Sequence, residues 1–363
     1  MLKTMRLLPS VTPPLRYFLP PIGGSILQSI YSSCCFSSRR RYRLNRVTAE
    51  MEENQDKLMN EAKRPVNSRL CRVSGWMTEI MEVQAENPTF YVLFIPGNPG
   101  VVSFYKEFLE SLYEFLDGNA SVIAIGQISH TSKDWESGRL FSFQEQIDHK
   151  IDFIRQELES VKVPIILVGH SIGSYISLEI LRKYSEKVVY CIGLYPFLTL
   201  NQQSTKQSLI GKLAASSVLS ATASFLIASL RLLPMSAARL LVSNSIGASW
   251  SDTAVQATCT HLRQYHTMRN VLFMAKSEFR ELAAEPDWDF MRENQSKLAF
   301  LFGIDDHWGP LQLFEKISKQ APGTSLAIER EGHMHGFCCT VAGSAWVAQH
   351  VATLIKNRFS QLQ

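Results

Sequence analysis

The octapeptide VGHSIGSY, residues 168–175, sets a serine between two glycines at the end of an apolar run. Within it, Gly169-His170-Ser171-Ile172-Gly173 fits G-x-S-x-G. The preceding "VPIILVGH" predicts a buried strand, and the following residues predict a helix from about Ile172 to Tyr184. The five-letter pattern alone is common; the strand before it and the helix after it give it weight. A strained strand-to-helix turn there pushes Ser171 Oγ out at the carboxyl edge of a sheet, and the helix N-terminus adds partial positive charge where an oxyanion would form. Ser171 is therefore read as a nucleophile rather than as a small residue in a tight turn.

The flanking sequence alternates in the same way. "PTFYVLFIPGNPG" reads as a strand, Phe90 to Ile95, closed by a Pro/Gly turn, and Phe104, Phe108, Leu112 and Phe115 then recur at helical spacing. A strand at Ser121 to Ile125, a helix at Phe143 to Leu158 and a strand at Val188 to Leu194 follow. "KLAFLFG" and "TSLAIER" complete the strands, with helices near Leu311 to Lys319 and Ala342 to Arg358. Near-uniformly apolar strands alternating with helices predict a mostly parallel sheet covered on both faces.

One long segment, residues 197–288, interrupts the alternation. It contains 18 residues without a charge, Leu213 to Leu230, between Lys212 and Arg231. A spanning helix needs about 20 predominantly apolar residues, and this stretch is diluted by six Ser/Thr. A lid or hairpin that lays an apolar face into a lipid surface, with Pro234 near its bend, is favoured over a membrane span or an ordinary buried cap.

A serine hydroxyl needs a base, and the base needs a carboxylate, in the chain order Ser, Asp/Glu, His for this kind of turn. "FLFGIDDHWGP" supplies Asp305 and Asp306 in a loop after a strand, and Asp306 is preferred from its spacing to Gly303 and Pro310. "EREGHMHGF" offers His333, preceded by glycine, and His335, followed by Gly336-Phe337; the residues themselves leave the choice even. His170, beside the nucleophile, is read as structural, and His149, His261, His266 and His350 as packing or surface residues. For the oxyanion, the N–H groups of Ile172 and of Asn98, in "IPGNPG", are the expected donors.

Composition narrows the alternatives. The 363 residues carry a formal charge of +4, but residues 1–49 hold eight Lys/Arg and no acid, leaving 29 basic against 33 acidic groups from residue 50 onward. The body is thus mildly acidic, which argues against nucleic acid as a partner. The Arg- and Ser-rich start, with "SRRRYR", reads as an organellar targeting segment or as an upstream extension that never folds, within a 1–65 N-terminal extension ahead of a 66–363 catalytic domain. Seven cysteines, four in adjacent pairs, fit a reducing compartment. No CxxC, HExxH, Walker A or G-x-G-x-x-G pattern occurs, so neither a metal nor an organic cofactor is expected.

Taken together, "FIPGNPGVVSFYKEFLESL", "QEQIDHKIDFI", "LVGHSIGSY", G-I-D-D-H-W and "HGF" resemble the lipid droplet-associated hydrolase family of the α/β-hydrolase superfamily over roughly residues 88–358. "PGNPG" with Phe104-Tyr105 four residues on is far more specific than G-x-S-x-G. The resemblance implies an α/β-hydrolase fold with a helical apolar cap and a serine lipid hydrolase or esterase acting at lipid-droplet and endoplasmic-reticulum surfaces. It also implies Ser171 as nucleophile, Asp306 as acid and, through the His-small-Phe motif, His335 as base, with the apolar insertion as a droplet anchor. The expected activity is hydrolysis of a lipid ester of sterol or acylglycerol type. Its rivals are an acyltransferase on the same three residues, and a lipid-surface protein with weak or vestigial catalysis.

Overall fold

The computed structural model describes residues 65–245 and 247–360; the basic N-terminal segment lies outside the described residues. Eight strands, β1 (Asn67–Val73), β2 (Trp76–Val83), β3 (Phe90–Ile95), β4 (Ala120–Ile125), β5 (Ile165–His170), β6 (Val188–Leu194), β7 (Leu298–Gly303) and β8 (Ser325–Glu329), build one sheet. Their order is β1-β2-β4-β3-β5-β6-β7-β8. Strand β2 runs antiparallel to both its neighbours, and every other pairing is parallel. Helices α1 (Lys106–Phe115), α2 (Phe143–Phe153) and α3 (Ile172–Lys183) connect the first strands. Between β6 and β7 lie α4 (Thr205–Ala215), α5 (Ser217–Ser229), α6 (Met235–Ser245), α7 (Asp252–Ala257), α8 (Tyr265–Glu281) and α9 (Trp288–Glu293). The chain closes with α10 (Leu311–Gln320) and α11 (Val341–Ser360).

The central strands are buried at every residue in β5 and β7, as their unbroken apolar sequences require when helices cover both faces. On one face, Phe108 of α1 and Val347 and Val351 of α11 pack on Phe94, Val168 and Ile192. On the other, Phe153 of α2, Ile176 of α3 and Ile317 of α10 pack on Leu93, Leu167 and Phe300. The predicted strands and helices match these elements, and α2 runs on through a single π-turn, Ile154–Leu158. The β1–β2 hairpin was not anticipated. Ser74 (φ 47°) and Gly75 (φ 91°) form its two-residue loop, both with positive φ, the geometry whose twist suits a right-twisted hairpin.

The insertion is helical and bent. Thr205–Ala215 and Ser217–Leu232 meet at 99° across Ser216, and among the described residues no single helix is long and apolar enough to cross a membrane. The sharp bend falls at Ser216 rather than beside Pro234. Ser216 adopts an extended conformation and its hydroxyl accepts the Leu219 amide, capping α5; Pro234 precedes α6. Helix α5 is inside-out for a soluble protein. Ser220, Ala223, Ser224 and Ile227 face inward, while Val218, Leu219, Phe225 and Leu226 are exposed. Small inward residues let α5 approach α8 closely, and Arg269 Nη1 donates to Ser220 Oγ (3.0 Å) at that contact. Arg263 holds the turn after α5 by donating to the carbonyls of Leu230 (2.5 Å) and Leu233 (3.0 Å).

The two glycines of the elbow are required by close approach. A Cβ on Gly173 would lie 2.2 Å from Ile95 O of β3, and one on Gly169 would lie 2.3 Å from Gly173 O. Backbone atoms cannot swing aside as a flexible side chain can. Gly173→Ala is therefore expected to lower unfolding free energy by at least about 3 kcal/mol, read from the denaturant midpoint. An unchanged midpoint would show that α3 and β3 can separate without cost.

Candidate active site

Ser171 sits between β5 and α3 with φ 56° and ψ −123°, a strained conformation for a residue with a side chain. Its amide donates to Leu194 O (2.9 Å), and its carbonyl accepts from Ser174 and Phe197, so three segments hold the turn. Asp306 follows β7, as predicted, and is buried, whereas Asp305 is exposed. His335 follows β8, and its Nδ1 donates to Asp306 Oδ2 (2.8 Å). That hydrogen bond leaves Nε2 as the lone-pair nitrogen of the neutral ring. His333 is turned elsewhere, its ring 5.6 Å from that of Trp346.

Asp306 stays ionised for a physical reason. Burial pushes its carboxyl up, but the adjacent His335 and the Trp308 amide, which donates to Oδ1 (2.9 Å), hold it below the ordinary 3.8. The loop that carries Asp306 is also tied to the insertion: Gln207 Nε2 of α4 donates to His307 O (2.7 Å).

The Pro96–Gly100 loop approaches Ser171 from the end of β3. Gly97 N donates to Tyr105 Oη (3.3 Å), and Gly100 N donates to His130 Nδ1 (2.9 Å). Gln127 Nε2 donates to Pro96 O (3.3 Å), and Lys150 Nζ on α2 donates to Gln127 Oε1 (2.6 Å). Burial pushes the Lys150 ammonium well below its usual range and His130 down to about 3, so the His130 ring is neutral. Among the described residues, neither the Asn98 nor the Ile172 amide has an acceptor.

His170 has a bridging place that the sequence did not reveal beyond a structural role. Its Nε2 donates to His335 O (2.9 Å), so its Nδ1 accepts from Tyr105 Oη (2.7 Å). Burial drives its pKa down to about 3, and the ring stays neutral. The hydrogen-bond chain Gly97, Tyr105, His170, His335 thus joins the Asn98 loop to the His335 loop through the elbow. The remaining histidines have structural partners: His149 Nε2 meets Thr78 Oγ1 (2.8 Å), His261 Nε2 meets Glu79 Oε2 (2.8 Å), and His266 Nε2 donates to Thr131 O (3.0 Å). His350 stacks on Trp346.

Two clefts flank Ser171 and His335 and share Asn98 and Pro99 as a wall. One, of about 660 Å3, is lined by Phe104, Trp250, Leu262, Met268 and the adjacent Cys338 and Cys339. The other, of about 600 Å3, is lined by Phe197, Ile210, Phe279, Trp308 and Glu278. Among the described residues no group of three or more His, Cys, Asp and Glu is placed to hold a metal.

Glu278 is the site residue that the sequence reading missed. It lies on α8, 3% exposed, on the stripe of Val271 and Ala275 that faces the second cleft. Asn98 Nδ2 donates to its Oε1 (3.0 Å), and burial pushes the carboxyl up to about 8, so it is protonated at neutral pH. The unfolded chain releases this proton near 4.5; between the two values the folded state holds the extra proton, and stability falls as pH rises from 4.5 to about 8. Glu278→Gln removes that slope, at most about 1.4 kcal/mol per pH unit. Denaturant midpoints of both proteins across pH 5–8 test this, and identical slopes would refute it.

With this geometry established, known proteins supply the context. The model of the family described as "Lipid-droplet associated hydrolase" matches residues 88–338. The lipid droplet-associated hydrolase of Gallus gallus is 27% identical over 283 residues, covering 74% of this chain and 86% of that protein. That of Mus musculus is 26% identical over 315 residues, covering 81% and 93%. Among solved structures, an epoxide hydrolase from Vigna radiata superposes with a TM-score of 0.57 at 14% identity over 81% of this chain and 99% of its own. A thioesterase domain from the curacin biosynthetic pathway superposes with a TM-score of 0.56 at 16% identity over 81% and 100%. These likenesses carry the α/β-hydrolase fold. The family match spans most of the chain and includes the elbow and the Asp306 loop, and the chain belongs to the lipid droplet-associated hydrolase family.

Proposed function

We propose that this hydrolase cleaves carboxylic esters of lipids through Ser171, His335 and Asp306. The observation that carries the reading is the buried His335–Asp306 pair at the mouth of two clefts that also expose Ser171. Ser171 Oγ attacks the ester carbonyl and passes its proton to His335 Nε2, while ionised Asp306 stabilises the imidazolium. The amides of Asn98 and Ile172, free of protein acceptors among the described residues, bind the oxyanion. His335 then protonates the leaving alcohol and activates the water that hydrolyses the acyl-Ser171 ester.

Lipid-surface attachment forms part of the same proposal. Phe225 (66%), Leu232 (89%) and Leu240 (64%) are among the large apolar side chains exposed on the insertion. Large exposed apolar side chains gathered on one segment mark an interaction site, and each gains about 1.5–3 kcal/mol on full burial. Ile210 of α4 lines the cleft while its neighbour Leu209 is exposed, so one helix borders both the outer apolar face and the substrate space. This placement supports work on esters held in a lipid-droplet or endoplasmic-reticulum surface.

Ser171→Ala is expected to reduce turnover of a short soluble ester by about 10^6-fold, and Asp306→Asn by about 10^4-fold. Both variants should retain the wild-type unfolding midpoint; Ser171→Ala should lose labelling by a fluorophosphonate altogether, and Asp306→Asn should label slowly. Full turnover by Ser171→Ala would end the proposal. The triple variant Phe225→Asp, Leu232→Asp, Leu240→Asp should lose flotation with phospholipid-coated triacylglycerol droplets by at least about 100-fold yet hydrolyse the soluble ester normally. Undiminished flotation would assign the apolar face another role.

A further inference from the structure

The chemistry of ester cleavage leaves one polar group of the active-site space without a task. Glu278 enters from the insertion, and among the described residues Asn98 is the hydrogen-bond partner of its carboxyl. Asn98 Nδ2 spends one hydrogen on Glu278 Oε1 (3.0 Å) and the other on Val271 O (3.0 Å), which fixes the orientation of the amide. Two oxygens are left over. Glu278 Oε2 has no protein partner and is not among the fully occluded polar atoms, so it keeps access to the cleft. Asn98 Oδ1 is buried and has no donor.

A buried carboxyl with no cation beside it exists as the neutral acid, and burial does push Glu278 up to about 8. Oε1 is then the carbonyl oxygen that accepts from Asn98, and Oε2 carries the proton. The second cleft therefore offers one donor, Glu278 Oε2–H, while Asn98 Oδ1 is occluded and takes no part. A free hydroxyl on the alcohol portion of the substrate satisfies that donor by accepting from it. A sterol ester, whose alcohol portion carries no further oxygen, would leave it unsatisfied. The other cleft, walled by Phe104, Trp250, Leu262 and Met268, suits the acyl chain, which assigns the Glu278 side to the leaving alcohol.

We propose that Glu278, oriented by Asn98, binds a free hydroxyl on the alcohol portion of the substrate, so that the enzyme selects esters of polyols such as partial acylglycerols over esters of sterols and simple alcohols. This rests on the reading of Ser171 as the esterase nucleophile. A site built to hydrogen-bond a hydroxyl discriminates strongly against the analogue that lacks it, because its own buried groups are left unpaired.

The test compares the full chain on 1-monooctanoylglycerol and propyl octanoate, which differ by the two hydroxyls of the alcohol. Wild type is expected to favour the glyceryl ester in kcat/KM by about tenfold or more. Glu278→Leu should lose that preference, its kcat/KM falling further on the glyceryl ester than on the propyl ester. Glu278→Gln, which keeps an acceptor for Asn98 and an N–H donor for the substrate, should retain most of it. Calorimetric binding of the non-hydrolysable ethers 1-O-octylglycerol and octyl propyl ether to wild type and Glu278→Leu separates the two readings. A binding preference for the glyceryl ether without ester turnover sustains the hydroxyl site and overturns the esterase reading. Equal handling of both pairs by wild type, or an undiminished preference in Glu278→Leu, overturns the role given to Glu278. So does a parallel loss on both esters.

Discussion

The approach of α3 to the carboxyl end of β3 sets the rest of the site in place. Ile95 O lies where a Cβ of Gly173 would be, so helix and strand meet backbone to backbone. Because α3 is held that close, the residue joining β5 to it has too little room for an ordinary turn, and Ser171 takes the strained φ of 56°. The strain is offset by hydrogen bonds from three directions, Leu194 O, Ser174 N and Phe197 N. The same contact brings the loop after β3 against the elbow, which places the Asn98 and Ile172 amides at the clefts that Ser171 lines. One packing constraint thereby sets Ser171, Asn98 and Ile172 around the same cleft.

A second constraint keeps the later loops in register with that turn. The His335 loop after β8 has no regular structure of its own before Phe337, yet it is held to the elbow by His170, whose ring donates to the His335 carbonyl and accepts from Tyr105. Tyr105 in turn receives Gly97 N. Each member of this chain is neutral and buried, so its hydrogen bonds face little competition from water and no charge has to be desolvated. A histidine suits the middle position because its two ring nitrogens act as one donor and one acceptor in a single rigid plane. An aromatic shell of Tyr195 and Phe337, stacked at 5.8 Å, closes over the pair.

How far the site could be read from the sequence follows the range of the interactions involved. The elbow, the apolar strands and the loop carrying Asp306 depend on local order, and each appears where periodicity and motif placed it. The β1–β2 hairpin carried a local signal too, the Ser74-Gly75 pair between alternating segments, but it stands ahead of the first apolar strand and was passed over. Choosing between His333 and His335 needs a distance across the fold, which residue types two positions apart do not contain. Glu278 is subtler. On α8 it occupies the stripe with Val271 and Ala275, where an acid is costly unless it is neutral and bonded. That misfit is visible in the sequence, but the partner that makes it tolerable, Asn98, is 180 residues away.

The insertion joins these levels. Helix α5 puts serines and alanine against α8 and leaves Val218, Leu219, Phe225 and Leu226 outside, an arrangement that costs solubility in water and is favourable only where the outer medium is itself apolar. Helix α8, against which it packs, carries Val271, Ala275 and Glu278 into the cleft beside Ser171. The inner contact of α5 is thus one layer removed from the substrate space, and it is made by Ser220, Ala223, Ser224 and Ile227 together with the Arg269–Ser220 hydrogen bond. One helix pair thus carries both the exposed apolar side chains of the insertion and residues that line the cleft beside Ser171.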